Sequence, residues 1–285
     1  MKKPIVAIMY DFDKTLSPRD MQEYSFIPSL KMEPAEFWAK CEVASKQHQM
    51  DSISSYMLVM LQEAEKSNLH LSREAFNKLG KDVQLFNGVE SWFKRINDYG
   101  RSIGVEVEHY ILSSGLEEIV EGTKIAGEFK KIYASKYVYN TYGEPIWPAM
   151  VVNYTSKTQF LFRINKGVLD VTDNNTLNAS MAEEEKRVPF SNMIYIGDGF
   201  TDVPCMKIVR YNGGHSIAVY NGDPSAAQDM ISHDRVDFVL KSDYSENTEM
   251  ETTVKAILDL IRAQEVAEEI HNNHIQRIQN KKAQD

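Results

Sequence analysis

The chain has 285 residues, a net charge of −9 and 42% hydrophobic residues. That size suits one core with a large insertion. The excess of acid argues against a nucleic-acid backbone as the main partner but leaves room for a small anion at a site whose local field opposes the net charge. No apolar run approaches the roughly 20 residues that span a bilayer. Met1-Lys2-Lys3-Pro4 leads into a segment carrying Asp11 and Asp13, unlike a secretory leader. The protein is therefore expected to be cytoplasmic, with no membrane partner, as a monomer or homodimer. Cys41 and Cys205 form neither a disulfide framework nor a metal-ligand spacing and read as ordinary buried thiols.

Ile5 to Tyr10 is a nearly continuous apolar run, the pattern of a strand buried on both faces. It ends in Asp11-Phe12-Asp13-Lys14-Thr15-Leu16. From about Asp20 to Asp82 the pattern is helical. Pro34 marks one helix start, Asp51 is the expected N-cap of a second helix and Ser72 of a third. Val89 to Tyr99 is an amphipathic helix that Gly100 is expected to close. Val105 to Leu112 reads as a strand broken by Ser113-Ser114-Gly115, and Lys131 to Val138 as another. Asn140 to Pro145 is a turn at a hairpin. Thr158 to Asn165 is helical and stops at Gly167, and Val168 to Pro189 reads as an exposed loop. Met193 to Ile196 is a strand ending in Gly197-Asp198-Gly199. Ser216 to Tyr220 and Phe238 to Leu240 are further strands, and Glu246 to about Gln279 forms one or two terminal helices. Strands alternating with helices imply an α/β fold with a parallel sheet and right-handed crossovers.

Function in such a sheet collects at the carboxyl ends of the strands. Three polar sites fall there. Asp11 and Asp13 alternate along an extended segment, so both can face one space, where a like-charge pair needs a cation or a shared proton. A lone Asp-x-Asp can equally cap the following loop. Asp198 and Asp202 form a second pair, brought to one side if a helix starts near Thr201. Oxygen-only ligands suit Mg²⁺; a plain turn is the simpler reading of that pair alone. Ser113 and the N–H groups around Ser114 and Gly115 could bind phosphate oxygens. Lys157, opening a helix, could neutralise a phosphoryl group.

Together and in this order, these residues resemble the haloacid dehalogenase superfamily. The first motif matches Asp11-Phe12-Asp13-Lys14-Thr15-Leu16, the second Ser113, the third Lys157 in preference to Lys124, and the fourth Gly197-Asp198-Gly199-Phe200-Thr201-Asp202. Leu85 to Val89 and Gly199 are similar to the phosphoserine-phosphatase-like branch with a helical cap. The resemblance implies a Rossmann-like three-layer core at residues 1–18 and 83–245, a helical cap at 19–82 and a C-terminal helical extension at 246–285. It also implies a phosphatase that hydrolyses a small phosphorylated metabolite. In that reading Asp11 is the nucleophile and Asp13 the acid and base. Asp11, the Asp13 carbonyl and Asp198 bind Mg²⁺, and Asp202 completes the metal shell or orients Lys157. Thr15, Ser113 and Lys157 support the phosphoryl group.

Asp20, Glu23 and Tyr24 are candidate contacts to a substrate amine. Phe37, Trp38, Tyr56, Met57 and Met60 read as cap core, and His109 and His215 as structural residues. A phosphotransferase or mutase would use the same residues, and a binding protein on this fold would need fewer of them.

Overall fold

A computed structural model describes residues 3–282, so residues 1–2 of the expected core and 283–285 of the expected extension lie outside the described residues. The elements run in the order β1 (Ile5–Tyr10), α1 (Phe26–Ser29), α2 (Pro34–His48), α3 (Ser52–Lys66), α4 (Arg73–Leu79), α5 (Val89–Ser102), β2 (Glu106–Leu116), α6 (Glu117–Glu121), β3 (Lys131–Tyr139), β4 (Pro145–Met150) and α7 (Lys157–Lys166). They continue through α8 (Asn174–Asn178), β5 (Met193–Gly197), α9 (Val203–Tyr211), β6 (His215–Tyr220), α10 (Ser225–Ser232), β7 (Phe238–Lys241) and α11 (Glu249–Lys282).

Among the described residues the sheet has seven strands in the order β4-β3-β2-β1-β5-β6-β7. All pairings are parallel except β3 with β4. The alternation of side chains along each strand feeds two cores. Val6, Ile8 and Tyr10 of β1 join Trp92 and Phe93 of α5 and Val254 and Leu258 of α11 on one face. Ile5, Ala7 and Met9 join Phe160 and Leu161 of α7 and Cys205 and Met206 of α9 on the other. All six β1 residues are buried, which is why that run is apolar throughout.

The helices α1 to α4 form an insertion between β1 and α5, and their apolar side chains Phe37, Tyr56, Met57 and Phe76 extend the first core. The expected caps are in place. The Asp51 carboxylate accepts from the Ile53 and Ser54 N–H groups, and Ser72 Oγ accepts from the Ala75 N–H.

Three details differ from the sequence reading. The helix α5 runs through Gly100 to Ser102. A side chain at Gly100 would meet Val107 Cγ2 at 2.7 Å, so packing on β2 rather than helix termination calls for glycine. The strand β2 continues past Leu112 to Leu116 with a shift of register, so Ser113 lies within it. The Val168–Pro189 segment contains α8 and is not a free loop. The buried Arg163 donates to the carbonyls of Asp170, Val171 and Asp173 and to Asn174 Oδ1. The terminal region is one helix, α11, buried at Val254, Ile257, Leu258 and Ile261 and exposed at Ile270 and Ile278. Both cysteines are free and buried. No helix among the described residues is long and apolar enough to cross a membrane.

His109 on β2 closes a buried chain. Trp92 Nε1 donates to the Tyr10 hydroxyl at 2.9 Å, and that hydroxyl lies 3.0 Å from His109 Nδ1. His109 Nε2 lies 3.1 Å from Asn97 Oδ1, which fits the tautomer with its proton on Nε2. Burial, opposed only by the charge of Glu108, pushes the His109 pKa down to about 3. Between that value and the ordinary 6.5, the unfolded chain binds a proton that the folded chain does not. Stability from this residue is therefore full above pH 6.5 and is lost as the pH falls toward 3, at up to about 1.4 kcal/mol per pH unit. Denaturant unfolding at pH 7 and pH 5.5 tests this: His109→Gln should lose less stability between the two than the wild type, and equal losses would remove His109 as the cause.

Candidate active site

The strands β1, β2 and β5 are neighbours, and the polar residues singled out by sequence sit at their carboxyl ends. Asp11 follows β1 directly, and its N–H donates to the Ile196 carbonyl of β5 at 2.9 Å. The chain then turns tightly, with the N–H groups of Thr15, Leu16 and Ser17 all directed at the Phe12 carbonyl. Lys14 takes a left-handed conformation (φ 58°) in this turn, and its ammonium pairs with Asp20 at 2.8 Å. The turn brings the Asp13 carboxylate beside the Met21 N–H, which donates to Oδ1 at 2.8 Å.

Lys157 opens α7, and its side chain is fully buried. Its Nζ lies 3.1 Å from Asp11 Oδ2 and 2.7 Å from Asp202 Oδ1. Asp202, also fully buried, immediately precedes α9. Its Oδ1 also accepts from the Tyr195 hydroxyl at 2.8 Å, and its Oδ2 accepts from the Gly199 N–H at 3.3 Å. A β-carbon at Gly197 would meet Asp202 Oδ2 at 2.5 Å, so only glycine lets that carboxylate lie against the end of β5. Thr15 Oγ1 reaches Asp198 Oδ1 at 3.4 Å. Ser113 is buried, and its Oγ accepts from the Gly115 N–H at 3.1 Å. A β-carbon at Gly115 would collide with Met21 Cε at 2.1 Å and crowd Asp13 Oδ2 at 3.1 Å.

Asp11, Asp198 and Asp202 thus converge, each offering an oxygen within 4.8 Å of the others. The Asp13 carboxylate stands outside that set, on the side of the insertion. Burial, then the negative charge of Asp202 and Asp11, pushes the Asp198 pKa up to about 8. Burial raises that of Asp11 to about 6 against the pull of Lys157. Asp13 is pushed well above the ordinary range, by burial first and then by Asp20 and Asp11. Burial acts to lower the pKa of Lys157, but Asp11 and Asp202 outweigh it and the pKa is raised, so the ammonium stays charged.

Of the remaining candidates, Asp20, Glu23, Ser114 and Gly115 line a cavity of about 660 Å³ that opens beside Asp13. Tyr24 does not line it; its hydroxyl lies 2.9 Å from Ser17 Oγ. Lys124 is exposed and pairs with Glu90 at 3.1 Å. Sequence reading missed Gln22 and assigned Trp38 and Tyr56 to the core, yet all three line the cavity. Tyr56 is nearly buried all the same, and its hydroxyl donates to the Ser114 carbonyl at 2.7 Å. Tyr195 was also missed. Its position two residues before Gly197, on the face shared with Met193, was the available signal.

The family model of haloacid dehalogenase-like hydrolases matches residues 8–207. The chain belongs to that family. A protein of Borreliella burgdorferi, named only as uncharacterized, is 27% identical over a match covering 87% of this chain and 95% of that protein. Solved structures share the fold at low identity. A probable phosphoserine phosphatase from Vibrio cholerae matches with TM-score 0.57 at 12% identity, over 92% of this chain and 67% of that one. A phosphoserine phosphatase solved as a phospho-aspartyl intermediate analogue matches with TM-score 0.52 at 16% identity, over 90% and 99%. A HAD family hydrolase of Salmonella enterica serovar Typhi matches with TM-score 0.55 at 14% identity, over 84% and 68%.

Lys157 is the cation that holds two buried carboxylates of this hydrolase. Removing one partner of such a set leaves uncompensated charge in the interior. Lys157→Met, measured in EDTA, should be less stable than wild type by roughly 3–5 kcal/mol at pH 8. The stranded carboxylates would have raised folded-state pKa values, so their protonation relieves the defect in acid. The deficit should therefore shrink toward pH 5, and a deficit independent of pH would show that packing, not charge, is what Lys157 supplies.

Proposed function

We propose that this hydrolase is a Mg²⁺-dependent phosphatase that cleaves a small phosphomonoester through an aspartyl-phosphate intermediate. The observation that carries the reading is the placement of Asp11. One of its oxygens is fixed by the Phe12 N–H at 2.7 Å, and the other is held 3.1 Å from Lys157, while Asp13, two residues on, lines the adjoining cavity. A carboxylate oriented in this way is a nucleophile whose geometry is set before substrate arrives.

The donor set fits a hard divalent cation. It is all oxygen, and Asp198, whose pKa is raised by burial first and then by the charges of Asp202 and Asp11, would gain from a cation beside it. Asp11, Asp198 and the Asp13 carbonyl would hold Mg²⁺, whose chemistry is to neutralise phosphoryl oxygens and align the ester. Both oxygens of Asp202 are already engaged by Lys157, Tyr195 and Gly199, so Asp202 serves to orient Lys157 rather than to bind metal directly.

The residues divide the work as follows. An Asp11 oxygen forms a bond to phosphorus as the ester P–O bond breaks. Asp13, whose pKa burial and neighbouring charge push up, gives a proton to the departing alkoxide. As a carboxylate it then takes a proton from water, whose oxygen displaces Asp11 and releases inorganic phosphate. Lys157 and the Ser113 region offset the charge spread over the phosphoryl oxygens throughout. The helical insertion acts as a cap that shields this chemistry and surrounds the leaving group.

Phosphate release from a panel of small phosphomonoesters should require added Mg²⁺ and vanish in Asp11→Asn. Asp13→Asn should lower kcat by about 10²–10⁴-fold, the usual contribution of a positioned acid and base. Wild-type turnover by Asp11→Asn would exclude the covalent route.

A further inference from the structure

The cavity beside Asp13 has an unusual wall. Asp20, Glu23 and Glu42 join Asp13 there, whereas Lys14 is the one cation among the described lining residues. Lys14 is already paired with Asp20 at 2.8 Å, and Glu42 is paired with Lys46 outside the lining. Glu23 makes no ion pair among the described residues, and only one of its oxygens is used, by Trp38 Nε1 at 2.9 Å. Gln22, at 2% exposure, lines the same cavity, and its Oε1 is buried with no hydrogen-bond partner. Leaving a buried acceptor unmatched costs about 1–3 kcal/mol. The soft terminal torsion of glutamine lets that oxygen turn toward a donor in the cavity. The rings of Trp38 and Tyr56 stand 6.3 Å apart at 75°, providing aromatic surface beside Glu23.

Resting on the phosphatase reading, we propose that the leaving group is a small primary amino alcohol, carrying a protonated amine and no carboxylate. An ammonium supplies what this wall lacks. It offers positive charge to Glu23, N–H donors to Glu23 and to the Gln22 oxygen, and a cation for the aromatic rings. A carboxylate on the leaving group would face three further carboxylates with no unpaired cation to receive it. An amino-acid phosphate therefore fits this cavity poorly, although several fold neighbours are phosphoserine phosphatases. A neutral polyol phosphate would leave the charge of Glu23 unmatched. The products are the free amino alcohol and inorganic phosphate.

Two measurements with Mg²⁺ present separate this proposal from the phosphatase reading. The first compares kcat/KM for O-phosphoethanolamine, phosphocholine, O-phosphoserine, glycerol 3-phosphate and p-nitrophenyl phosphate. O-phosphoethanolamine should exceed O-phosphoserine and glycerol 3-phosphate by about tenfold or more. Glu23→Gln should cut the ratio of O-phosphoethanolamine to glycerol 3-phosphate by about fivefold or more. A preference for O-phosphoserine, or a ratio unmoved by Glu23→Gln, overturns the proposal. A preference for phosphocholine overturns the assignment of Glu23 and Gln22 as acceptors of N–H. The second measurement is calorimetric binding of the same esters to Asp11→Asn. If no ester, p-nitrophenyl phosphate included, is hydrolysed by the wild type, the phosphatase reading fails, and this ranking alone decides. O-phosphoethanolamine bound about tenfold tighter than glycerol 3-phosphate upholds the amine site, and equal affinities remove it.

Discussion

The buried ammonium of Lys157 is the interaction on which the site depends. It lies between Asp11 at the end of β1 and Asp202 at the start of α9, and so ties the ends of two adjacent strands together. Carboxylates brought this close in a desolvated interior repel one another and favour their neutral forms. The Lys157 ammonium is the one fixed cation placed between two of them. The raised pKa of Asp198 reflects its burial first, and then the charges of Asp202 and Asp11 beside it. Buried ion pairs contribute little net stability compared with apolar packing. What this one supplies is placement, because the nucleophile candidate is held on one side by a backbone N–H and on the other by the ammonium.

The second constraint is the seam between the insertion and the sheet. Their apolar residues form one continuous cluster, so the insertion rests on the same core that supports β1. Met21 joins the two sides. Its N–H donates to Asp13 Oδ1, and its Sδ accepts from the Leu116 N–H at 3.2 Å. Tyr56 makes a second link through the Ser114 carbonyl, and Asn153 a third through Asp51. Asp13, Tyr56 and Ser114, three of the residues in these contacts, line the cavity. The groups that would meet a leaving alcohol and the group that would protonate it are thus positioned by one set of interactions.

The local devices were legible in the chain. Asp51 and Ser72 cap their helices because a short side-chain oxygen before an apolar periodic segment satisfies free N–H groups wherever it occurs. The β1 strand was legible because a strand covered on both faces has no polar positions. Asp11, Ser113 and Asp198 were legible as a set because strand ends in a parallel sheet converge whatever lies between them, and Lys157, at the start of a helix, was legible through the family's motif order. Gly100 was read as a helix stop, although its lack of a side chain serves contact with Val107, a neighbour brought near only by the return of the chain into β2. Val168 to Pro189 read as an exposed loop or excursion because it is polar, with clusters of Asn and Glu. Arg163, from the preceding helix, supplies the hydrogen bonds that order it.

The sequence by itself determined the alternation of strands and helices, the helical insertion after the first strand and the identity of the carboxylates, lysine and serine at the strand ends. The first two rest on periodicity, and the third on chemistry carried by a few adjacent residues together with the family's motif order. Only the tertiary structure decided which carboxylate Lys157 would share with Asp11, why Asp202 is occupied by hydrogen bonds, and that Gln22, Trp38 and Tyr56 face a cavity as well as a core. Those outcomes depend on distances between residues far apart in the chain. Side-chain type cannot specify such distances until the sheet order and the packing of the insertion have set them.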